Sequence, residues 1–453
     1  MTKLNLGGKI IVDLSNLPQL LKLMEITPLY DLEFEVFLKN IRSAILLSIS
    51  DIKHNSETLT FQIALASQCF INEYLYDQTD EENEALRELE TLIEKQLTNG
   101  QQPSPTELAC LASYKPLHEY SWCHLLSMPV ELESLHRRQI LEPEKEKHLK
   151  STIPILQEIK NEVSCIVREQ YEQNPYPRWV ELQLYFAPKP ISEITKELNL
   201  RISNHDIYKV DTPQILIAGC GTGSHVITAA SLFKNCDVLA IDLSLSSLAY
   251  AKRKTEELGI SNIEYMQADI LDLKALDRKF DIIESGGVLH HMEDPMAGWK
   301  VLTDCLKTEG LMKIGIYSKL GWREVVQVRD EMGLFHIEPS HDTMKLFRNK
   351  IINSEEKHCK QIVQSFDFYN MSSVRDLLFH VQIHQFTIPQ IEASLSSLGL
   401  VFCGFGDGSI VEKFKKSRNF GENALYDLEK WDIFEKENPR EFAGMYQFWC
   451  QKD

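Results

Sequence analysis

The sequence predicts an α/β fold built on a mostly parallel sheet and preceded by a helical domain. Apolar β-type runs recur between residues 214 and 318 with helical stretches between them, the alternation that generates parallel strands joined by crossover helices. The first of these runs, QILIAGCGTG (214–223), closes on three alternating glycines, Gly219, Gly221 and Gly223. Residues 1 to about 150, in contrast, space their apolar side chains by three and four and carry no strand signal.

Within that N-terminal stretch, LEFEVFLKNIRSAILL, TLTFQIALASQCFINEYLY and ENEALRELETLIEKQL read as amphipathic helices. TNGQQPSPTE (98–107) is a turn, from which Ser104 or Thr106 caps the helix that carries Leu108 and Leu111. No fixed period recurs, so a solenoid is not indicated. Residues 151–204 form a connecting segment: a helix, then NPYPRW, where Pro175 and Pro177 remove helical donors and force an extended path.

Next comes the first strand and its glycine loop. Alternating glycines at a strand-to-helix junction allow a tight turn and a close approach of backbone to ligand. A dinucleotide fingerprint needs its third glycine one residue later, where Ser224 stands. The second run, VLAID (238–242), ends in Asp242, placed to accept hydrogen bonds from ribose hydroxyls, with Leu243 beside it. The third, IEYMQAD (263–269), ends in Asp269, whose carboxylate suits an adenine amino group while the backbone at Ile270 meets the ring nitrogens. The fourth, FDIIESGGVLHHM (280–292), carries Ser285 and Gly286 and then His290 and His291.

Strand five is read as LMKIGIYS (311–318), ending in Tyr317. A helical insertion occupies 319–386, and the helix TIPQIEASLSSLG (387–399) and strand LVFCGF (400–405) close a domain spanning 205–410. Residues 411–453 are an aromatic tail, expected to pack as a strap over the core.

Hydrophobic residues make up 43% and charged residues 25% of the 453, the balance of a globular protein rather than a disordered one. The net charge of −18 argues against binding nucleic acid, which relies on Lys and Arg to neutralise phosphates. The ten cysteines are scattered without a C-x-x-C pair or a ligand spacing, so no metal is expected and free thiols in the cytoplasm are. AILLSIS (44–50), the most apolar window, is too short for a bilayer.

Four strand ends in order, AGCGTG, Asp242, Asp269 and SGGVLHH, resemble the class I S-adenosylmethionine-dependent methyltransferases. The resemblance implies a Rossmann-like core with a mostly parallel seven-stranded sheet, S-adenosyl-L-methionine as cofactor, and contacts to it from Gly219, Cys220, Gly221, Gly223, Asp242, Leu243, Asp269, Ile270, Ser285 and Gly286. One position departs: members commonly carry an acid two residues before the first glycine, and here it is Ile217. REQYEQNPYPRW, GVLHHM, RDLLFHVQIHQFT and GMYQFW further resemble bacterial methyltransferases associated with tetratricopeptide repeats, to which the rickettsial outer-membrane-protein lysine methyltransferases are similar. The repeats themselves are absent from this sequence. A protein side chain, lysine among the candidates, or a small molecule is then the methyl acceptor, and the insertion is expected as a substrate lid or homodimer element.

His290, His291 and Tyr317 are the candidate catalytic side chains, the histidines because they follow strand four and titrate near neutral pH. Each has a plainer alternative: a helix cap or core histidine, and a strand-end aromatic. Tyr176 and Trp179, held by the two prolines with Arg178 between them, suit a lid that meets the sulfonium by cation–π attraction; the alternative is a linker. An inactive nucleoside-binding module and a nicotinamide-dependent dehydrogenase are the competing functional readings, the latter disfavoured by the early third glycine.

Overall fold

The computed structural model describes residues 10–50, 56–334, 337–417 and 421–452. The chain divides into two compact units, one of Met1–His148, Pro177–Glu181 and His336–Phe379, the other of Leu149–Tyr176, Leu182–Phe335 and His380–Asp453.

Among its described residues the first unit is helical. Helices Pro18–Ile26, Leu32–Leu47, Ser56–Ile71, Asp80–Thr98 and Pro105–Ala112 bury one core that includes Leu38, Phe61, Leu65, Ile93 and Leu111. Their starts follow local chemistry. Ser104 caps Pro105–Ala112 by accepting the Glu107 N–H at 3.3 Å, and Glu107 accepts the Ser104 N–H in return at 2.7 Å, a capping box. Helices His341–Ile352, Lys357–Ile362 and Met371–Phe379 belong to the same unit, so most of the expected insertion folds with the N-terminal helices. A buried ion pair joins the two stretches: Arg348 donates to both carboxylate oxygens of Glu35 at 2.7 and 2.6 Å.

The second unit contains a seven-stranded sheet in the order β3-β2-β1-β4-β5-β7-β6: β1 Gln214–Ala218, β2 Asp237–Asp242, β3 Ile263–Gln267, β4 Phe280–Gly286, β5 Leu306–Ile316, β6 Leu400–Phe405 and β7 Tyr446–Lys452. The pairings among β1 to β5 are parallel, and β7 runs antiparallel between β5 and β6. Both faces are covered. Leu216, Leu239, Ile283 and Ile314 pack on one side and Ile215, Ile217, Val238 and Ile282 on the other, which is why the central strands read as continuous apolar runs.

Three boundaries differ from the sequence reading. Strand five begins at Leu306 and ends at Ile316, so Tyr317 lies just past it. The third strand stops at Gln267, and Asp269 instead caps the turn Ile270–Leu276. The aromatic tail is more than a strap: its last segment is β7, with Tyr446, Phe448 and Cys450 fully buried. Membership of the sheet depends on pairing with β5, more than 100 residues earlier, and local pattern carries no record of that partner.

Candidate active site

The order of strands reverses between β1 and β4, and a crevice outside the carboxyl ends of strands at such a point is where open α/β sheets take ligands. The loop after β1 is built for close approach. Gly219, Gly221 and Gly223 have φ of +77°, +52° and +86°, a region costly for side-chain-bearing residues. A Cβ on Gly219 would lie 2.2 Å from Val288 Cγ2, and one on Gly223 2.6 Å from Ala251 Cβ. The first contact brings the post-β4 loop against the glycine loop. The turn is fixed by its own backbone: Gly219 and Cys220 donate to the Ile241 carbonyl, each at 2.9 Å, and Gly223 donates to Cys220 at 3.0 Å. Cys220 is buried, and burial with Asp242 alongside keeps its thiol protonated.

Asp242, at the tip of β2, is half-buried and oriented from both sides. Its Oδ2 accepts the Gly221 N–H at 2.8 Å and its Oδ1 the Ser244 N–H at 2.9 Å. Burial lifts its carboxyl from 3.8 to about 6, against those two donors and with Glu172 adding to the rise. Glu172 ends helix Glu162–Gln173, and it accepts from Ser246 N–H at 3.2 Å while Ser244 Oγ donates to the Tyr171 carbonyl at 3.0 Å. Helix Glu162–Gln173 therefore docks on the loop that carries Asp242 and Leu243. Asp269 is buried and accepts the Leu271 N–H at 2.9 Å; Ile270 is part of the core. Ser285 is buried at the end of β4, whereas Gly286 is exposed there.

Beyond β4, His290 and His291 form a short helical turn and enter a row of rings. Tyr171 lies 5.9 Å from His380, His380 stacks on His291 at 3.5 Å, His291 meets His290 at 4.2 Å, His290 meets Tyr317 at 3.7 Å, and Tyr317 stacks on Trp322 at 3.4 Å. The fold thus brings His290, His291 and Tyr317, three candidate catalytic residues, into contact with one another. The expectation that the histidines titrate near neutral pH is not met. Burial holds His290 and His380 well below 6.5 and His291 at about 3, the latter against the hydrogen bond to Gln382, because the charged form of a buried imidazole loses its hydration. His291 Nδ1–H donates to the Gln382 carbonyl at 2.8 Å, which leaves Nε2 as the ring's acceptor. Both ring nitrogens of His290 lack a hydrogen-bond partner among the described residues.

The NPYPRW segment divides between the units. Tyr176 belongs with the sheet and Pro177–Glu181, hence Trp179, with the helices, where Arg178 Nε lies 3.2 Å from Glu73 Oε1 and Lys22 donates to Glu181 at 2.5 Å. Tyr176 and Trp179 are both half-buried.

Several residues at the site escaped the sequence reading. Val288 shapes the glycine loop by contact alone, which no motif announces. His380, Gln382 and His384 return to the post-β4 turn, where the His384 N–H donates to the His290 carbonyl at 2.7 Å; the two histidines four residues apart in HVQIH were the available signal. Glu284 did not escape the sequence reading: the sequence places it at the end of the fourth strand, facing the cofactor cleft or holding a neighbouring loop, and on β4 it pairs with His225 and, at 3.5 Å, with Lys313. Burial would raise its carboxyl, but the two basic groups bring it down to about 2.

Comparison with known proteins matches residues 215–310 to the family described as "Methyltransferase domain". An uncharacterised protein of Synechococcus sp. is 27% identical over 235 residues, covering 49% of this chain and 56% of that protein. The (S)-coclaurine N-methyltransferase of Papaver somniferum is 28% identical over 155 residues, covering 29% of this chain and 44% of the enzyme. The chain thus spans about half the length of these relatives. Among solved structures, PKMT2 from Rickettsia typhi in complex with AdoHcy has a TM-score of 0.45 at 19% identity, covering 61% of this chain and 55% of that one. Residues 215–310, which match the methyltransferase-domain family, hold the β3-β2-β1-β4 half of the sheet and its glycine loop.

Proposed function

We propose that this chain is an S-adenosylmethionine-dependent methyltransferase whose acceptor is an amine nitrogen, on a protein side chain such as lysine or on a small molecule. The observation that carries the cofactor half is the tie between Asp242 and Gly221 at 2.8 Å, on a domain that matches the methyltransferase family. The residues present fit such a cofactor. Positive-φ glycines leave a cradle that a Cβ would fill, and each Asp242 oxygen accepts one backbone N–H and so keeps a lone pair for a ribose hydroxyl. The amine half is supported by the N-methyltransferase named among the relatives and by the resemblance to lysine methyltransferases.

When bound, S-adenosylmethionine supplies an activated methyl group and its own leaving group. What remains for the protein is alignment and exclusion of water, where effective concentration contributes most of the acceleration. The row of rings from Tyr171 to Trp322, buried from His380 onward, gives the post-β4 side a packed aromatic wall. His290 and His291, held neutral by burial, serve there as positioning groups, and the proton of an ammonium substrate leaves to water before attack. Tyr176 is assigned to the lid over the cofactor, supported by the docking of helix Glu162–Gln173, which leads into it, on Ser244 and Ser246; Trp179 belongs to the helical unit and is given no part in it. All ten cysteines are free thiols, in keeping with a cytoplasmic enzyme; no helix among the described residues is long and apolar enough to cross a membrane.

Calorimetry with S-adenosylmethionine and with NAD tests the cofactor, and transfer of labelled methyl groups into a bacterial lysate followed by identification of the labelled species tests the acceptor. Binding of S-adenosylmethionine alone, with label on an amine, is the expected result. No binding sinks the reading, and binding without turnover on any acceptor favours an inactive nucleoside-binding module instead.

A further inference from the structure

Ile217 on β1, Glu284 on β4 and Lys313 on β5 lie in one register across three adjacent strands, and residues paired in this way point to the same face of a sheet. Two of the three are charged, although their neighbours on that face, Ile215, Ile282 and Leu311, are apolar core. His225, in the first turn of helix Ser224–Leu232 directly after the glycine loop, completes the group by meeting Glu284 Oε2. The side chain of Glu284 is 4% exposed, while those of Lys313 and His225 are 25% and 34% exposed. Lys313 Nζ also lies 3.4 Å from His225 Nε2 and 5.9 Å from the Trp449 ring.

A buried carboxylate carries a desolvation penalty of several kcal/mol that pairing only partly offsets, and well-packed apolar side chains commonly serve stability as well or better. Stability alone therefore gives a poor reason for this triad in the rung that ends two residues before Gly219. Its composition points elsewhere. One carboxylate and two basic groups, beside a helix N-terminus that favours anions, complement the ammonium and carboxylate of an α-amino acid. S-adenosylmethionine ends in that zwitterion.

We propose that Glu284 receives the α-ammonium of the cofactor's amino-acid end and that Lys313 and His225 receive its α-carboxylate. The inference rests on the S-adenosylmethionine reading above and assigns to β4 and β5 a contact that Ile217 on β1 has no polar atom to make.

Calorimetry with two ligands separates the proposal from that reading. S-adenosylhomocysteine and 5′-methylthioadenosine share the adenosine and thioether, and only the first carries the amino acid. Glu284→Gln should weaken S-adenosylhomocysteine by roughly 10- to 100-fold, the range for a lost charge-assisted hydrogen bond, and leave 5′-methylthioadenosine within about twofold. Lys313→Gln, at a more exposed position, should give the same split and keeps the test open if Glu284→Gln does not fold. Equal losses for both ligands, or none for either, would overturn the proposal while the cofactor reading stands. Failure of the unaltered protein to bind either ligand would sink both together.

Discussion

Asp242 and Gly221 are joined before any ligand arrives: the carboxylate at the tip of β2 holds the amide of the glycine loop at 2.8 Å. The acid proposed to meet the ribose is thus also the brace of the loop on which the nucleoside would rest. Asp242→Ala should lower S-adenosylmethionine affinity by at least about 100-fold, combining a lost ligand contact with a loosened loop. Calorimetry on a variant shown folded by circular dichroism checks this; retained affinity would move the site elsewhere.

The same carboxyl makes binding pH-dependent. Its ordinary value of 3.8 is raised to about 6 by burial, and ribose hydroxyls donate to the ionised form, so binding should release a proton and tighten as pH rises through 6. If only the ionised form binds, affinity should fall about tenfold from pH 7 to pH 5. Asp242→Asn should flatten that profile, and a steep profile in the variant would assign the proton to another group.

Gly219 answers to two constraints that can be separated. Its φ of +77° disfavours any side chain, and a Cβ would sit 2.2 Å from Val288 Cγ2. Gly219→Ala should lose about 2–6 kcal/mol, since strain at such a φ accounts for roughly 1–3 and overpacking for about the same. Gly219→Ala with Val288→Ala should recover the packing share only. Denaturant unfolding of the two variants checks the partition, and full recovery would show that the backbone at 219 carries no strain.

How far the sequence disclosed this site depended on the range over which each feature is encoded. The glycine loop and Asp242 lie at strand ends, and Asp269 and the two histidines a few residues beyond theirs, where residue type and local geometry are set together, and these placements were legible. Val288 and the return of His380 to His384 were not, because their roles arise from contacts between loops far apart in the chain. β7 shows the same limit at the level of the fold. Tyr446, Phe448 and Cys450 alternate as a strand should, yet only pairing with Met312 and its neighbours turns the tail into a central strand. The helical character of the 319–386 insertion was likewise legible, without any sign that helix His341–Ile352 would join the core of the N-terminal helices.

That assignment has its own test. Arg348 holds both oxygens of Glu35 and donates its Nε–H to the Phe368 carbonyl at 2.9 Å, with all three groups buried. Removing one partner leaves an uncompensated buried charge, so Arg348→Met should destabilise the helical unit by about 3–5 kcal/mol. Adding Glu35→Leu should restore much of the loss. Thermal unfolding of the single and double variants decides, and additive losses would mean that the pair contributes through separate contacts.

The stacked histidines predict acid lability. His290, His291 and His380 are held below 6.5, His291 at about 3, by burial of imidazoles that accept no proton without losing packing or solvation. Below 6.5 the unfolded chain binds protons at these positions and the folded chain does not, so stability falls with falling pH, by about 1.4 kcal/mol per pH unit for each ring. Asp242 works the other way between its unfolded value and about 6, where the folded state binds the extra proton, but it is one group against three. The melting temperature should therefore be flat from pH 8 to 7 and drop steeply below 6. His291→Phe keeps the ring in the stack, removes one titrating site and gives up the bond to the Gln382 carbonyl, so it should be less stable at pH 7 and lose less on acidification. An unchanged slope in that variant would show that His291 is protonated in the fold, and would return it to the candidates for a proton acceptor during methyl transfer.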